Sequence, residues 1–323
     1  MHRLLRCGLA AIMSSVVAAA VLAVTAPPAS AEPSRSDGHR VTLLVHGFDR
    51  EADTNCASSW KNARDLLLAN GWTDVRTFGY YNKSTNCDIK FNGTTDTRIQ
   101  EIGRQLAWTV YSSYSSQGVP VDIMAHSMGG LIAKAAIEGV NRYGVAAAAP
   151  DIDAVATDAQ NDAVATDAQS VGATAVPSGW PPYLYIEDIV TLATPHKGID
   201  TALIDLCSLT HEQCSDMRDG SGFLKWLGAQ PPSQMGTDYT FLASSYDDTV
   251  AKGSATNGNT AHHWALYSKN ADGGTLSHSA MRTTTTGDWQ ASWGGSKTAS
   301  GSGSAYAPPL LRAMDALFSH EAA

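Results

Sequence analysis

One serine between a strand-like and a helix-like segment constrains the fold of this chain most strongly. Residues 121–125 are mainly apolar, as in a buried strand, and residues 131–140 form a helix-like run. Ser127 stands between them, with Ala125 two residues before it and Gly129 two residues after it. Small residues at these positions let a chain turn sharply from strand to helix and hold the serine hydroxyl clear of the backbone. The usual pattern is Gly-x-Ser-x-Gly, and this chain has alanine at the first position.

Strand-like and helix-like segments alternate along the rest of the chain. The predicted strands cover residues 41–45, 75–80, 121–125, 186–194, 240–245 and 263–267, and the predicted helices cover about 59–70, 99–110, 131–140 and 309–320. Residues 300–304 are interpreted as a Gly/Ser loop. Strands that alternate with helices predict an α/β fold, in which a mostly parallel sheet carries helices on both faces.

Composition and charge argue against a disordered chain and against a nucleic-acid-binding protein. Hydrophobic residues make up 43% and charged residues 16% of the 323-residue chain, which is the balance of a globular protein. The net charge of −9 and the absence of a basic stripe in the sequence argue against a nucleic-acid partner.

The first 31 residues have the order of a secretory signal peptide. Arg3 and Arg6 precede an apolar run over residues 7–26, and the small residues Ala29-Ser-Ala31 follow two prolines. A single membrane anchor is the alternative, but the prolines and the Ala-x-Ala triplet have no role in an anchor. We therefore expect cleavage after Ala31 and a secreted, monomeric domain of residues 32–323 without a stable membrane anchor.

Four cysteines remain in the expected mature chain. An even number of cysteines in an exported protein indicates disulfides, and four cysteines allow three connectivities. The pairs nearest in sequence, Cys56–Cys87 and Cys207–Cys214, are favoured. Neither pair has the spacing of a zinc site, and no metal is expected.

A tandem repeat interrupts the middle of the chain. The octapeptide of residues 153–160 returns at residues 162–169. Its aspartates suggest a calcium loop, but the glycine that a tight calcium loop needs is missing. A solvated, low-complexity insertion at about 145–180 is the favoured interpretation.

Three blocks of sequence carry a resemblance to a known family. They are Val-His-Gly-Phe at 45–48, Ala-His-Ser-Met-Gly at 125–129 and Thr-Leu-Ala-Thr-Pro-His-Lys-Gly at 191–198. Together they resemble bacterial extracellular lipases and esterases of the α/β-hydrolase superfamily, of the actinobacterial and Bacillus-like type. The resemblance implies a secreted serine hydrolase that cleaves carboxylic esters through an acyl-enzyme, without a cofactor.

The resemblance also implies roles for individual residues. Ser127 would be the nucleophile, and the backbone N–H groups of Phe48 and Met128 would form the oxyanion hole. The order of the fold is serine, acid, histidine, so the acid and the histidine follow Ser127. The family's Asp-x-x-Val segment selects Asp247, although the pattern alone leaves its neighbour Asp248 open.

The remaining histidines are assigned by their position along the chain. His278 follows the last predicted strand in a small-residue loop and is the expected catalytic base. His46 precedes the serine and is not expected to be the base, and His126, inside the turn, and His196, in the Thr-Pro-His-Lys-Gly loop, are interpreted as packing or loop residues.

The substrate is the least determined part of the prediction. Residues 199–235 occupy the place of a cap, and Phe223, Leu224, Trp226 and Leu227 suggest either an apolar lid or a helix packed on the core. A small-molecule or lipid ester, which the enzyme could meet at a lipid–water interface, is the expected substrate. A thioesterase or acyltransferase with the same triad, and a non-catalytic binding protein of this fold, are the alternatives.

Overall fold

The computed structural model describes Gly38 and residues 40–144 and 179–319. The expected signal peptide and both copies of the octapeptide repeat lie outside the described residues, so those two interpretations and the domain boundaries they imply remain predictions.

Nine strands form a single sheet within the described ranges. They are β1 (Val41–Val45), β2 (Val75–Tyr81), β3 (Ile89–Gly93), β4 (Val121–His126), β5 (Ile186–Leu192), β6 (Asp238–Ser244), β7 (His263–Asn270), β8 (Trp289–Gly294) and β9 (Gly301–Tyr306). Their order across the sheet is β3-β2-β1-β4-β5-β6-β7-β8-β9. All neighbours from β3 to β7 pair in parallel, and β8 pairs antiparallel with both β7 and β9.

Helices cover both faces of this sheet. They are α1 (Cys56–Ser59), α2 (Lys61–Ala69), α3 (Ile99–Ser113), α4 (Met128–Tyr143), α5 (Ala202–Cys207), α6 (Glu212–Met217), α7 (Gly222–Trp226), α8 (Lys252–Ala255) and α9 (Pro309–Phe318). Helices α3 and α4 pack together on one face, and α2 and α9 pack on the other. Among the residues the structure describes, no helix is long and apolar enough to cross a membrane. The arrangement confirms the predicted α/β-hydrolase class.

The extent of burial explains which strands could be predicted from the sequence. Every residue of β4, β5 and β6 is buried, as expected where helices cover both faces of a parallel sheet. The edge strand β3, whose first four residues alternate between half-buried and exposed, was not predicted, nor was β8, which follows the strand expected to be the last. The predicted Gly/Ser loop at 300–304 is wrong, because Gly301–Tyr306 pairs with β8 as edge strand β9. A Cβ on Gly301 would lie 2.7 Å from the Trp293 ring, so glycine here permits a close approach of the backbone to the indole.

Two disulfides join segments that follow β1, β2 and β5. They join Cys56 to Cys87 and Cys207 to Cys214, the pairs that sequence proximity favoured. The first ties α1 to the loop between β2 and β3, and it leaves no space at Gly79, where a Cβ would lie 2.4 Å from Cys87 Sγ. The second joins α5 to α6.

We predict that the two disulfides stabilise the fold unequally, because the entropy of the unfolded chain falls more when a longer loop is closed. Loss of Cys56–Cys87, with a separation of 31 residues, should lower the free energy of unfolding by about 3–4 kcal/mol. Loss of Cys207–Cys214, with a separation of 7 residues, should lower it by about 2 kcal/mol. Urea unfolding of the two double Cys→Ser variants measures both values, and an equal or reversed order would contradict this explanation.

Candidate active site

Ser127 occupies the turn between β4 and α4 in a strained backbone conformation. Its φ is 54° and its ψ is −129°, a region that residues with a Cβ rarely adopt. Two hydrogen bonds hold the turn: Ser127 N–H donates to the carbonyl of Leu192 at 2.9 Å, and Thr194 Oγ1 donates to the carbonyl of Ser127 at 2.8 Å. The neighbouring β5 strand and the loop after it therefore maintain the strained conformation of Ser127.

Two glycines allow the chain to close around this turn. A Cβ on Gly129 would lie 2.3 Å from the carbonyl oxygen of Val45 and 2.6 Å from that of His46. A Cβ on Gly47 would lie 2.7 Å from Ser127 Cβ. The turn and the loop after β1 are thus in direct backbone contact, and this contact requires the two glycines.

Asp247 and His278 form a hydrogen-bonded pair. His278 Nδ1 lies 2.8 Å from Asp247 Oδ2, and the Asp247 side chain is fully buried. The second oxygen, Oδ1, accepts the backbone N–H groups of Thr249 and Val250 at 2.8 and 2.9 Å. Asp248 is exposed and lies outside this pair. The sequence pattern alone did not decide between Asp247 and Asp248. In the structure, Asp247 is the one that contacts the histidine.

His126 connects this pair to the serine turn. Its Nε2 lies 3.0 Å from the carbonyl oxygen of His278, and the two imidazole rings are 4.7 Å apart between centroids. Since His126 directly precedes Ser127, the contact holds the backbone of His278 beside the turn. Asp247 occupies Nδ1 of His278, which leaves Nε2 as the ring atom that can accept a proton. The sequence assigned His126 to packing and gave no sign of this contact.

Ser127, Asp247 and His278 follow β4, β6 and β7, respectively. These strands are parallel, so all three residues lie at the carboxyl edge of the sheet, where ligands bind in folds of this class. Met128 begins α4, and its N–H has no acceptor within that helix. Phe48 lies in the loop that approaches Ser127 through Gly47.

Three other histidines near the site are buried. Burial lowers the pKa of His46 to about 4. Burial also holds the pKa values of His126 and His196 well below the usual value. His196 Nε2 lies 3.0 Å from Thr191 Oγ1, and its ring stacks on Phe241 at 3.8 Å. His46 and His196 therefore pack as neutral rings.

The cap region packs on the domain. Phe223 and Leu227 are buried, and Leu224 and Trp226 contact the same core. The packed-helix alternative thus describes α7 better than an apolar lid. The exposed apolar side chains of the cap are instead on and after α5: Leu206 is 65% exposed and Leu209 is 78% exposed.

The cap also touches the loop after β1, since the ring of His211 lies 5.9 Å from that of Phe48. Within the described ranges, no group of three or more His, Cys, Asp or Glu residues has an arrangement suited to a metal ion.

We predict that the buried histidines make the fold sensitive to acid. In the unfolded chain each takes up a proton near pH 6.5, whereas in the folded protein His46, His126 and His196 stay neutral, so the free energy of unfolding falls as the pH drops through 6.5. From pH 7.5 to 5.5 each should contribute a loss of about 1.4 kcal/mol, or about 4 kcal/mol together. Urea unfolding at both pH values measures the loss, and His196→Gln should reduce it by about a third. An unchanged pH dependence in that variant would contradict the explanation.

Solved structures of several lipases and esterases are similar to this chain at low identity. The propeptide form of Bacillus licheniformis lipase BlEst2 is 16% identical with a TM-score of 0.42, and the match covers 77% of this chain and 49% of that one. Aspergillus fumigatus lipase B is 12% identical with a TM-score of 0.43, over 76% of this chain and 49% of that one. The chain thus spans about half the length of these two proteins. No curated protein matches it significantly.

The family model described as Lipase (class 2) matches residues 41–290, which is well over half of the chain. This range begins at β1 and ends within β8, so it includes the serine turn and the Asp247–His278 pair. The chain therefore belongs to the class 2 lipase family of ester hydrolases.

Proposed function

We propose that the protein is a secreted serine hydrolase that cleaves carboxylic esters with Ser127 as nucleophile, His278 as general base and Asp247 as the acid that orients it. The hydrogen bond between His278 Nδ1 and the buried carboxylate of Asp247, beside the strained turn of Ser127, carries this proposal. A serine hydroxyl is a poor nucleophile unless a base accepts its proton, and a paired imidazole is such a base.

The reaction follows from these roles. His278 Nε2 accepts the Ser127 Oγ proton while Oγ attacks the ester carbonyl carbon, and Asp247 stabilises the imidazolium. The carbonyl oxygen becomes negative, and the N–H groups of Phe48 and Met128 stabilise it by about 3 kcal/mol each. The intermediate collapses, the alcohol leaves with the proton from His278, and the acyl group remains on Ser127. Water then attacks the acyl-enzyme, with His278 again accepting a proton.

The proposed enzyme acts outside the cell and on lipid esters. The two disulfides support secretion, since such bonds persist in oxidising compartments. The exposed Leu206 and Leu209 of the cap support a substrate in a lipid aggregate, since an exposed apolar pair gains free energy on entering lipid. Thioester hydrolysis or acyl transfer would use the same residues, and analysis of the acyl product distinguishes them from ester hydrolysis.

We predict that the purified protein hydrolyses p-nitrophenyl esters and that Ser127→Ala lowers kcat by about 10⁶-fold, because no other group replaces the nucleophile. Asp247→Asn should lower kcat by about 10⁴-fold, because the amide favours the wrong histidine tautomer. Asp248→Asn is the matched control and should stay within threefold of the parent. Initial rates with esters of two to sixteen carbons measure all four proteins.

Several results would contradict this assignment. Activity that survives Ser127→Ala, or an equal loss in the two aspartate variants, would remove the triad. A parent protein without activity on any ester would favour a non-catalytic, ligand-binding role.

We predict that Leu206 and Leu209 contribute to the rate of hydrolysis only when the substrate is aggregated. The double variant Leu206→Ser/Leu209→Ser should hydrolyse dissolved p-nitrophenyl acetate at the parent rate but emulsified long-chain triglyceride about tenfold more slowly, because it loses apolar contact with the lipid. Leu68→Ser, which replaces a 46% exposed leucine on α2, is the control and should match the parent on both substrates. Equal losses on both substrates, or the same loss in the control, would exclude a lipid-contacting role.

A further inference from the structure

The tyrosine at the end of β2 contacts the loop that carries Phe48. Tyr80 is fully buried, and its hydroxyl oxygen lies 2.9 Å from the carbonyl oxygen of His46 and 2.6 Å from that of Gly47. A phenol has one proton to donate and carbonyl oxygens only accept, so the hydroxyl serves both carbonyls with a single shared proton. The shorter contact is to Gly47.

The His46 ring contributes a second donor to the same oxygen. Its Nδ1 lies 2.8 Å from the carbonyl oxygen of Gly47, so Nδ1 must carry the proton. The ring stacks on Tyr80 with centroids 4.0 Å apart and planes 15° from parallel. Both donors thus lie against one another and converge on one carbonyl group.

The geometry of the peptide bond links this carbonyl to the oxyanion donor. The C=O of Gly47 and the N–H of Phe48 belong to one planar trans peptide and point in opposite directions. Two donors that hold the oxygen therefore also fix the direction of the N–H. Hydrogen bonds to the oxygen further polarise the peptide, which strengthens the N–H as a donor.

The other side of this loop lies against the nucleophile. Gly47 is so close to Ser127 that a Cβ on it would lie 3.3 Å from Ser127 Oγ. The neighbouring Tyr81 holds the next residue of the loop, since its hydroxyl accepts the N–H of Asp49 at 3.2 Å and donates to Gln213 of α6 at 2.7 Å. Consecutive tyrosines of β2 thus secure the loop on both sides of Phe48.

We infer that Tyr80, together with His46, is a positioning residue for the hydrolysis: its hydroxyl fixes the Gly47–Phe48 peptide so that the Phe48 N–H is directed at the developing oxyanion. This inference rests on the proposed function. It assigns to a buried tyrosine on a strand, distant in sequence from Ser127, a part of the stabilisation of the tetrahedral intermediate. The effect should appear in the chemical step and leave substrate binding nearly unchanged, since the ground-state ester makes little use of the oxyanion donor.

Tyr80→Phe tests the inference, with Tyr239→Phe as a matched control. Tyr239 is also fully buried, and its hydroxyl donates to the carbonyl of Pro231 at 2.6 Å, so the control removes a similar hydrogen bond elsewhere in the domain. Tyr80→Phe should lower kcat for a dissolved ester ten- to a hundredfold, with KM within twofold of the parent. It should weaken inhibition by a phenylboronic acid, which forms a tetrahedral adduct with serine, by a similar factor. Tyr239→Phe should change neither value more than twofold, although both variants lose stability.

The outcomes separate this inference from the proposed function. An active parent with a normal kcat in Tyr80→Phe, or with equal losses in both tyrosine variants, overturns the positioning role alone. A parent without esterase activity overturns the proposed function. If Tyr80→Phe does not fold, His46→Leu removes the second donor to Gly47, and the same loss in kcat and boronate affinity is expected; unchanged values there overturn the inference.

Discussion

The contact between two backbone segments, the turn at Ser127 and the loop after β1, determines the geometry of the whole site. Gly129 lies against the carbonyl groups of Val45 and His46, and Gly47 lies against Ser127. Any side chain at either glycine would separate the segments, and with them Ser127 and the Phe48 N–H. Because β1 and β4 are neighbours in the sheet, their parallel pairing brings both segments to the same edge before any side chain contributes. The strain at Ser127 persists because the backbone around it is fixed on both sides.

The histidines near the site differ in burial and in hydrogen-bond partners. Burial is the largest effect on His46, His126 and His196, and it lowers the pKa of each. His278 is bonded to Asp247 and keeps 16% of its side chain exposed. A ring that takes up and releases a proton in each cycle, the role proposed for His278, needs such a partner and such access. The neutral rings instead serve as hydrogen-bonding and packing groups.

The sequence revealed the parts of this protein that depend on local pattern. The turn at Ser127 and the buried strands were predictable, because small residues and apolar runs reflect local geometry. Strands β3, β8 and β9 were not, because they lie at or next to a sheet edge, are only partly buried, and are made strands by pairing with a neighbour. An amphipathic pattern shows that one face of a helix is covered but not what covers it, so the sequence does not decide whether α7 is a lid or packs on the core. The contacts of Tyr80 and His126 join residues distant in the sequence, and no spacing rule could have indicated them.

The strand β2 shows how stability and chemistry are combined in this fold. Consecutive residues of a strand point to opposite faces, so Gly79 faces the Cys56–Cys87 disulfide while Tyr80 reaches the opposite side of the sheet. The disulfide therefore packs directly behind the residue whose hydroxyl holds the loop of Phe48. The disulfide and the loop of Phe48 thus contact the same strand through the consecutive residues Gly79 and Tyr80.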